Sequence, residues 1–458
     1  MEAPARSELL LTGATGFIGG QILALLFEDW LRRPSSPAPL FASSTVPHHD
    51  SNTALEEDVS LLWTRLGKEV AAIHILVRAD DDEAGRKRVL LHVSRFIATP
   101  LHSQLQAFLS WCHIVTCDLR SLTDKMFETL KAVTHVLHLA SSTYFGRHLE
   151  ATSNIDGTLN LVRATQKHCL NLVRFLHTGT ALICGSKPLA LVREDEYPCG
   201  DVIHLVDYTA TKAAAEEQLE SEISIRRECG NEGNENLLRD DRYVIVRPSV
   251  VVGHSRLGCS PSTSIYWLFR VVSDLNGLIW DPDLFIDVLP VDYSAAAMLF
   301  LLFKPSLSHN RYHISAGLGS RCTHTEIVEA MRAVGGGGVS RSDRDARLNP
   351  SERRSNSRSN PLRLKIYDDL TTLIEKTDGI SALCGESREK EGKYSRLLLS
   401  AMRHYFKFPP LGVTFDNSRL LSENFPSPPP FCSYIPQCEE SVKGISIVDM
   451  LLSDYETD

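Results

Sequence analysis

Residues 9–20 read Leu9-Leu10-Leu11-Thr12-Gly13-Ala14-Thr15-Gly16-Phe17-Ile18-Gly19-Gly20. A short apolar run enters a turn with glycines three apart. Ile22, Leu23, Leu25 and Leu26 then follow at helical spacing. The pattern predicts strand, glycine turn and helix. Gly13 permits a sharp turn off the strand. Gly16 carries no Cβ to block the approach of a pyrophosphate, and Gly19 lets the helix pack closely on a sheet. Phosphates at the helix N-terminus would meet free N–H groups and the positive end of the helix dipole. A βα turn with no ligand is the other reading of this stretch alone. Residues 9–27 are apolar enough to mimic a membrane span, but the regular glycines favour strand, turn and helix.

The 458 residues are 43% hydrophobic and 23% charged, the balance of a soluble globular protein. A net charge of -9 gives no general attraction to nucleic acid or anionic membrane. Eleven scattered cysteines with no C-x-x-C pair read as reduced thiols in a cytoplasmic protein. No basic-led signal peptide opens the chain.

Further buried-strand candidates are Ile73–Val77, His113–Cys117, His135–Leu139, Val173–His177 and Tyr243–Val246. Helical patterns cover Leu55–Leu66 and Asn154–His168, and another follows Tyr208. Strands alternating with helices predict an α/β fold: a Rossmann-type doubly wound parallel sheet with a smaller mixed substrate-binding subdomain. Residues 7–255 form the first domain, with flexible insertions at about 32–54 and 226–242. Residues 256–458 form the substrate-binding and C-terminal region, with a disordered loop at about 335–360. That loop is rich in Ser and Arg but lacks interleaved aromatics, so it reads as a solvated loop rather than an RNA contact.

Tyr208-Thr209-Ala210-Thr211-Lys212 is a second anchor. On a helix, i and i+4 share a face, which sets a phenol beside an ammonium. A neighbouring positive charge is expected to lower the phenol's pKa and favour phenolate. Such a tyrosine can exchange a proton with a carbonyl oxygen. Y-x-x-x-K alone is a common chance pattern. Thr180, just past a strand, can hydrogen-bond the same oxygen. Thr178, two residues earlier, competes for that role.

These motifs together resemble an extended short-chain dehydrogenase/reductase, of the thioester-reductase and fatty acyl-CoA reductase (male-sterility) branch. The resemblance runs through Thr12–Gly19, Leu76–Ala79, Cys117–Leu119, His138–Ser141, Asn154–Thr158, Thr180–Gly185, Tyr208 with Lys212, Arg247–Gly253 and Asp287–Tyr293. Phe415–Arg419 and Pro428–Phe431 near the end are also similar. It implies a dinucleotide-binding turn at Thr12, Gly13, Thr15, Gly16, Phe17, Ile18 and Gly19. Asp118 would accept from the adenine amino group, with Leu119 beside it. Ala140 and Ser141 would line the path to the nicotinamide ribose, and Pro248 would border the nicotinamide. Thr180, Tyr208 and Lys212 would be catalytic, with Tyr208 and Lys212 also touching the cofactor, and Asn154 would support a proton relay. No residues have metal-site spacing.

Arg78 stands where a reader of NAD usually carries an acid, and a guanidinium suits a 2′-phosphate. NADPH is therefore the expected cofactor, with NAD possible because Asp80, Asp81 and Asp82 follow. About 65 residues separate Gly13 from Arg78, against the usual spacing of about 20, so the insertion must loop out. Gly179 stands where the branch commonly has serine. The activity implied is reduction of an acyl thioester, CoA- or carrier-bound, to aldehyde or alcohol, with any acyl carrier protein acting in trans. No nucleic acid and no stable membrane span are expected. The alternatives are a carbonyl reductase, epimerase or dehydratase on a small ketone or nucleotide sugar, and a non-catalytic NAD(P)-binding sensor.

Overall fold

Each strand of the central sheet is a short run of leucine and β-branched residues covered on both faces. In β1 (Arg6–Thr12), Leu9 and Leu11 face one apolar core while Leu10 faces another, the period of two that a strand imposes. The computed structural model describes residues 6–33, 62–66, 69–128, 130–143, 151–186, 190–196, 202–230, 242–275, 277–335, 365–376 and 398–456. In chain order, β1 leads to α1 (Phe17–Leu31), β2 (Glu69–Val77), α2 (Asp82–Val93), α3 (His102–Trp111), β3 (His113–Thr116), β4 (His135–His138) and α4 (Ala151–His168). β5 (Arg174–Thr178), α5 (Asp207–Gly230), β6 (Tyr243–Pro248), α6 (Tyr266–Leu275), α7 (Val291–Phe303) and β7 (Arg311–Ile314) follow. The main remaining helices are α8 (His324–Gly335), α9 (Phe431–Ser441) and α10 (Ile447–Glu456).

Seven strands pair in the order β3-β2-β1-β4-β5-β6-β7, all parallel. The chain builds outward from β1 to β3, then returns to start the other half at β4. The order reverses between β1 and β4, and a crevice for ligand opens at the carboxyl ends there. Thr12 and His138 are register partners at that point. One face of the sheet packs on Ile22, Phe27 and Trp30 of α1 and on Met298, Leu299 and Leu302 of α7. The other packs on Leu161 and Val162 of α4 and Leu219 of α5. A third apolar core joins Trp267 and Leu268 of α6, Ile327 of α8, Ile435 of α9 and Leu451 of α10.

Differences from the sequence reading are local. Residues 62–66 form a turn and a 3₁₀ turn, Thr64–Leu66, so no α-helix reaches Leu66. The backbone of α5 stays helical to Gly230, past the expected start of an insertion at 226. β6 continues through Arg247 and Pro248, two residues further than the apolar run suggests. β7 was not anticipated. The bulk of the three expected insertions, 34–61, 231–241 and 336–364, lies outside the described residues. Residues 9–27 are strand, turn and helix, and among the described residues no helix is long and apolar enough to cross a membrane.

Candidate active site

One cleft of about 990 Å³ runs along the carboxyl ends of the strands and takes in every site residue named from the sequence. At its centre is the glycine turn. Gly13 has φ +74, and a Cβ there would lie 2.7 Å from the backbone of Leu139 and Ala140. A Cβ on Gly19 would lie 2.0 Å from the Gly13 carbonyl, so α1 can approach the turn only with glycine there. Gly16 differs: its Cβ would meet only the Gly13 oxygen, at 3.4 Å, and would otherwise enter the open cleft. Gly16 caps α1 without a side-chain hydrogen bond, and the first turn holds no acidic residue. Uncapped N–H groups facing a cradle that a Cβ would fill fit a dinucleotide pyrophosphate. The Thr12 hydroxyl is engaged elsewhere. It accepts from the N–H groups of Leu139 (3.2 Å) and Ala140 (3.1 Å) and pairs with His138 Nδ1 (2.7 Å), locking β1 to β4.

One end of the cleft is basic. Arg78 is joined there by Arg88, His92 and Arg95, and by Arg120 from the other rim. Arg88 donates to the Arg78 carbonyl at 3.0 Å. Burial and the two flanking arginines hold His92 down at about 4, so it is neutral at physiological pH. Sequence reading missed Arg88, Arg95 and Arg120. The signal for the first two was present, since 88, 92 and 95 fall on one helical face. Two of the three acids after Arg78 are turned to structural work. Asp81 caps α2 through the Ala84 N–H at 2.8 Å, and Asp82 accepts from the Thr116 hydroxyl at 2.9 Å. The Asp118 carboxylate is gripped by Arg120 through Nε (3.0 Å) and Nη2 (2.5 Å), which pulls its pKa down to about 2. An adenine amino group bound there would share that carboxylate with Arg120.

The presumptive chemistry sits at the middle of the cleft, on α5 and the end of β5. Tyr208 and Lys212 are one turn apart on α5, as the spacing predicts. The expected electrostatics do not follow. Burial pushes the Tyr208 phenol up to about 12, so the phenol stays protonated at neutral pH and the expected phenolate is not favoured. The Lys212 ammonium is 4% exposed and donates to the Thr178 carbonyl at 2.9 Å. Burial brings its pKa down to about 8, against the opposing pull of Glu216. Thr180 is buried, its hydroxyl 3.5 Å from the Pro248 carbonyl. Thr178 and Thr180 both border the cleft.

Asn154 clamps the backbone of Ser142, accepting from its N–H at 2.7 Å and donating to its carbonyl at 3.1 Å. Its Nδ2 also reaches the Thr211 hydroxyl at 3.3 Å, beside Lys212. Beyond Tyr208 the cleft turns apolar, walled by Ile265, Leu268, Phe285, Tyr405, Phe408 and Val413. Asp287 floors this part. Its carboxylate accepts from the N–H groups of Ala316 (2.7 Å), Gly317 (3.3 Å) and Phe415 (3.3 Å), while burial raises its pKa to about 6. Among the described residues no group of three or more His, Cys, Asp or Glu side chains could hold a metal.

Fold and site together define an extended short-chain dehydrogenase/reductase. A family model described as "Male sterility protein", of NAD-binding type, matches residues 60–298, just over half the chain, and the chain belongs to that family. The match begins after the glycine turn, which β1 carries into the sheet between β2 and β4. A nonribosomal peptide synthetase from a Cladobotryum species is 23% identical over 317 residues, 67% of this chain. The chain spans about a quarter of that relative, 26% of its length. Among solved structures, the terminal R domain from the myxalamid PKS-NRPS biosynthetic pathway superposes with TM-score 0.61 at 19% identity. That superposition covers 97% of this chain and 93% of the other. The reductase (R) domain of a nonribosomal peptide synthetase from Mycobacterium tuberculosis gives 0.58 at 16%, covering 96% and 92%.

Proposed function

We propose that this chain is an NADPH-dependent reductase of acyl thioesters, CoA- or carrier-bound, giving an aldehyde or, after a second reduction, an alcohol. The observation that carries this is the single cleft joining the glycine turn, a basic end, the Tyr208–Lys212–Thr180 set and an apolar chamber. The similarity to reductase domains of peptide synthetases supports a thioester over a free ketone, and a carrier protein acting in trans as one donor. The cytoplasm is the setting we propose.

The N–H groups at the start of α1 would hold the pyrophosphate. Arg78, with Arg88, Arg95 and Arg120 around it, would hold a 2′-phosphate, which favours NADPH over NAD. When bound, the dinucleotide supplies a hydride. As negative charge grows on the thioester oxygen, Tyr208 and Thr180 donate hydrogen bonds to it, and Tyr208 passes its proton there. A phenol near 12 is a protonated donor at neutral pH, which suits this direction. Lys212 sits one turn away and steadies the phenolate left behind. The C–S bond of the resulting hemithioacetal then breaks: its hydroxyl returns the proton to the Tyr208 phenolate, the aldehyde leaves, and the departing thiolate takes a proton from water. Asn154, with both ends of its amide engaged, would position Ser142 and Thr211 and so support a proton relay past Lys212. The apolar chamber would take the acyl group.

The test is to mix the protein with NADPH and acyl-CoA or carrier-bound acyl groups of several lengths, following NADPH loss and product. Aldehyde or alcohol with stoichiometric thiol is expected. NADPH loss with ketones and none with any thioester would overturn the thioester reading in favour of a carbonyl reductase.

A further inference from the structure

Glu216 is not used in the chemistry above, yet it lies at the meeting point of its parts. It follows Lys212 by one turn of α5 and is 0% exposed, paired with Arg247 of β6, itself 1% exposed. Arg247 Nε and Nη2 reach its Oε2 at 2.9 and 2.8 Å. Oε1 takes no hydrogen bond among the described residues and points at Gly179, where a Cβ would lie 1.9 Å from it. Gly179 is the residue between Thr178, whose carbonyl holds Lys212, and Thr180. Arg247 precedes Pro248, whose carbonyl receives the Thr180 hydroxyl. One carboxylate thus abuts the ends of β5 and β6 and the helix that bears Tyr208 and Lys212.

We propose that Glu216 is the positioning residue of this catalytic set, its carboxylate filling the space left by glycine at 179 and serving as the counter-charge of Lys212. The proposal rests on the catalytic reading of Tyr208, Lys212 and Thr180. The other groups facing Lys212 cannot take this role. His138 of β4 and His177 of β5 are buried and held neutral, the first at about 3 and the second well below 6.5. Asn154 and Thr158 of α4 are uncharged, Tyr208 on its own helix stays protonated, and Arg247 of β6 is a cation. Burial raises the Glu216 carboxyl, and its pair with Arg247 opposes that rise; as the carboxylate so held, Glu216 is the group that opposes the loss of the Lys212 proton. The absence of a side chain at 179 leaves that carboxylate its place.

The experiment follows Lys212 itself by NMR of the full chain carrying isotope-labelled lysine, with its resonance assigned by its loss in Lys212→Met. The titration midpoint should fall by roughly one pH unit or more in Glu216→Gln, as expected when an opposite charge a few ångströms away is removed. Gly179→Ala, which displaces Oε1, should move it in the same direction, while Glu216→Asp should stay nearer the wild type. Since removing one partner of a buried ion pair can unfold a chain, Glu216→Gln with Arg247→Met removes both charges and should show a smaller fall, because loss of the Arg247 cation pushes the Lys212 midpoint the other way. With NADPH and acyl-CoA, the alkaline limb of kcat/KM should move down by the same amount. The titration needs no substrate, so it decides the role of Glu216 even if no thioester is reduced. An unmoved Lys212 midpoint in a folded variant would overturn the proposal. So would unfolding of both the single and the double variant, which would make Glu216 purely structural.

Discussion

Replacing Lys212 with methionine should abolish reduction yet leave the protein at least as stable at neutral pH. The ammonium is 4% exposed, and burial takes its pKa from the ordinary 10.5 to about 8. Below the folded value both states carry the proton, and the folded state carries a charge removed from water. At about 1.4 kcal/mol per pH unit between the two values, that cost is about 3 kcal/mol. Methionine removes it and keeps the packing of the stem. Against this, the Thr178 carbonyl loses its 2.9 Å partner, a penalty of about 1–3 kcal/mol for a buried acceptor. That penalty does not depend on pH, whereas the charge cost does. Between about pH 8 and 10.5 the unfolded chain binds the extra proton, so wild-type stability rises with pH across this window relative to the variant. Moving from about pH 7 to about pH 9 should bring the wild type up by about 1 kcal/mol against Lys212→Met. Urea denaturation of both proteins at the two pH values measures this difference directly. A gap that stays flat with pH, or that widens in favour of the variant, would refute the reasoning.

The two glycines of the turn should separate folding from binding. Gly19→Ala sets a Cβ 2.0 Å from the Gly13 oxygen and should cost about 3 kcal/mol or more in a melting experiment. Gly16→Ala, with its contact at 3.4 Å, should cost about 1 kcal/mol or less but weaken NADPH binding at least about tenfold by fluorescence titration. Tyr208→Phe should keep NADPH affinity and lose roughly 10²–10⁴ in kcat, as expected for removal of a general acid. Arg88→Ala with Arg95→Ala should raise KM for NADPH by about tenfold while leaving KM for NADH little changed, since only one of the two carries the phosphate these cations face.

The parallel sheet was legible because its central strands are covered on both faces and so appear as unbroken apolar runs: Leu9–Leu11, Ile75–Val77 and Val136–Leu137. β7 was not, because Arg311-Tyr312-His313-Ile314 alternates polar and apolar residues, with no adjacent apolar pair such as Ile114-Val115 of β3 to mark it. Helical spacing placed Tyr208 over Lys212, but spacing says nothing about burial, and burial sets both pKa values here. The same limit hid Glu216, whose importance depends on a β6 arginine and a glycine 37 positions earlier in the chain. The apolar chamber depends on residues 398–415 folding back over α6, a long-range contact with no local signature. Arg88, His92 and Arg95 were readable as one helical face once α2 was placed.

The cations that would grip the nucleotide come mainly from the β2–α2 unit, whereas Tyr208, the proposed proton donor, and the Lys212 ammonium come from α5. On the proposed reading, two independent supersecondary pieces would govern which redox pool feeds the enzyme and how the carbonyl is handled. Swapping the arginine-bearing helix face could recouple the protein to a different source of reducing power while its proton chemistry stays intact.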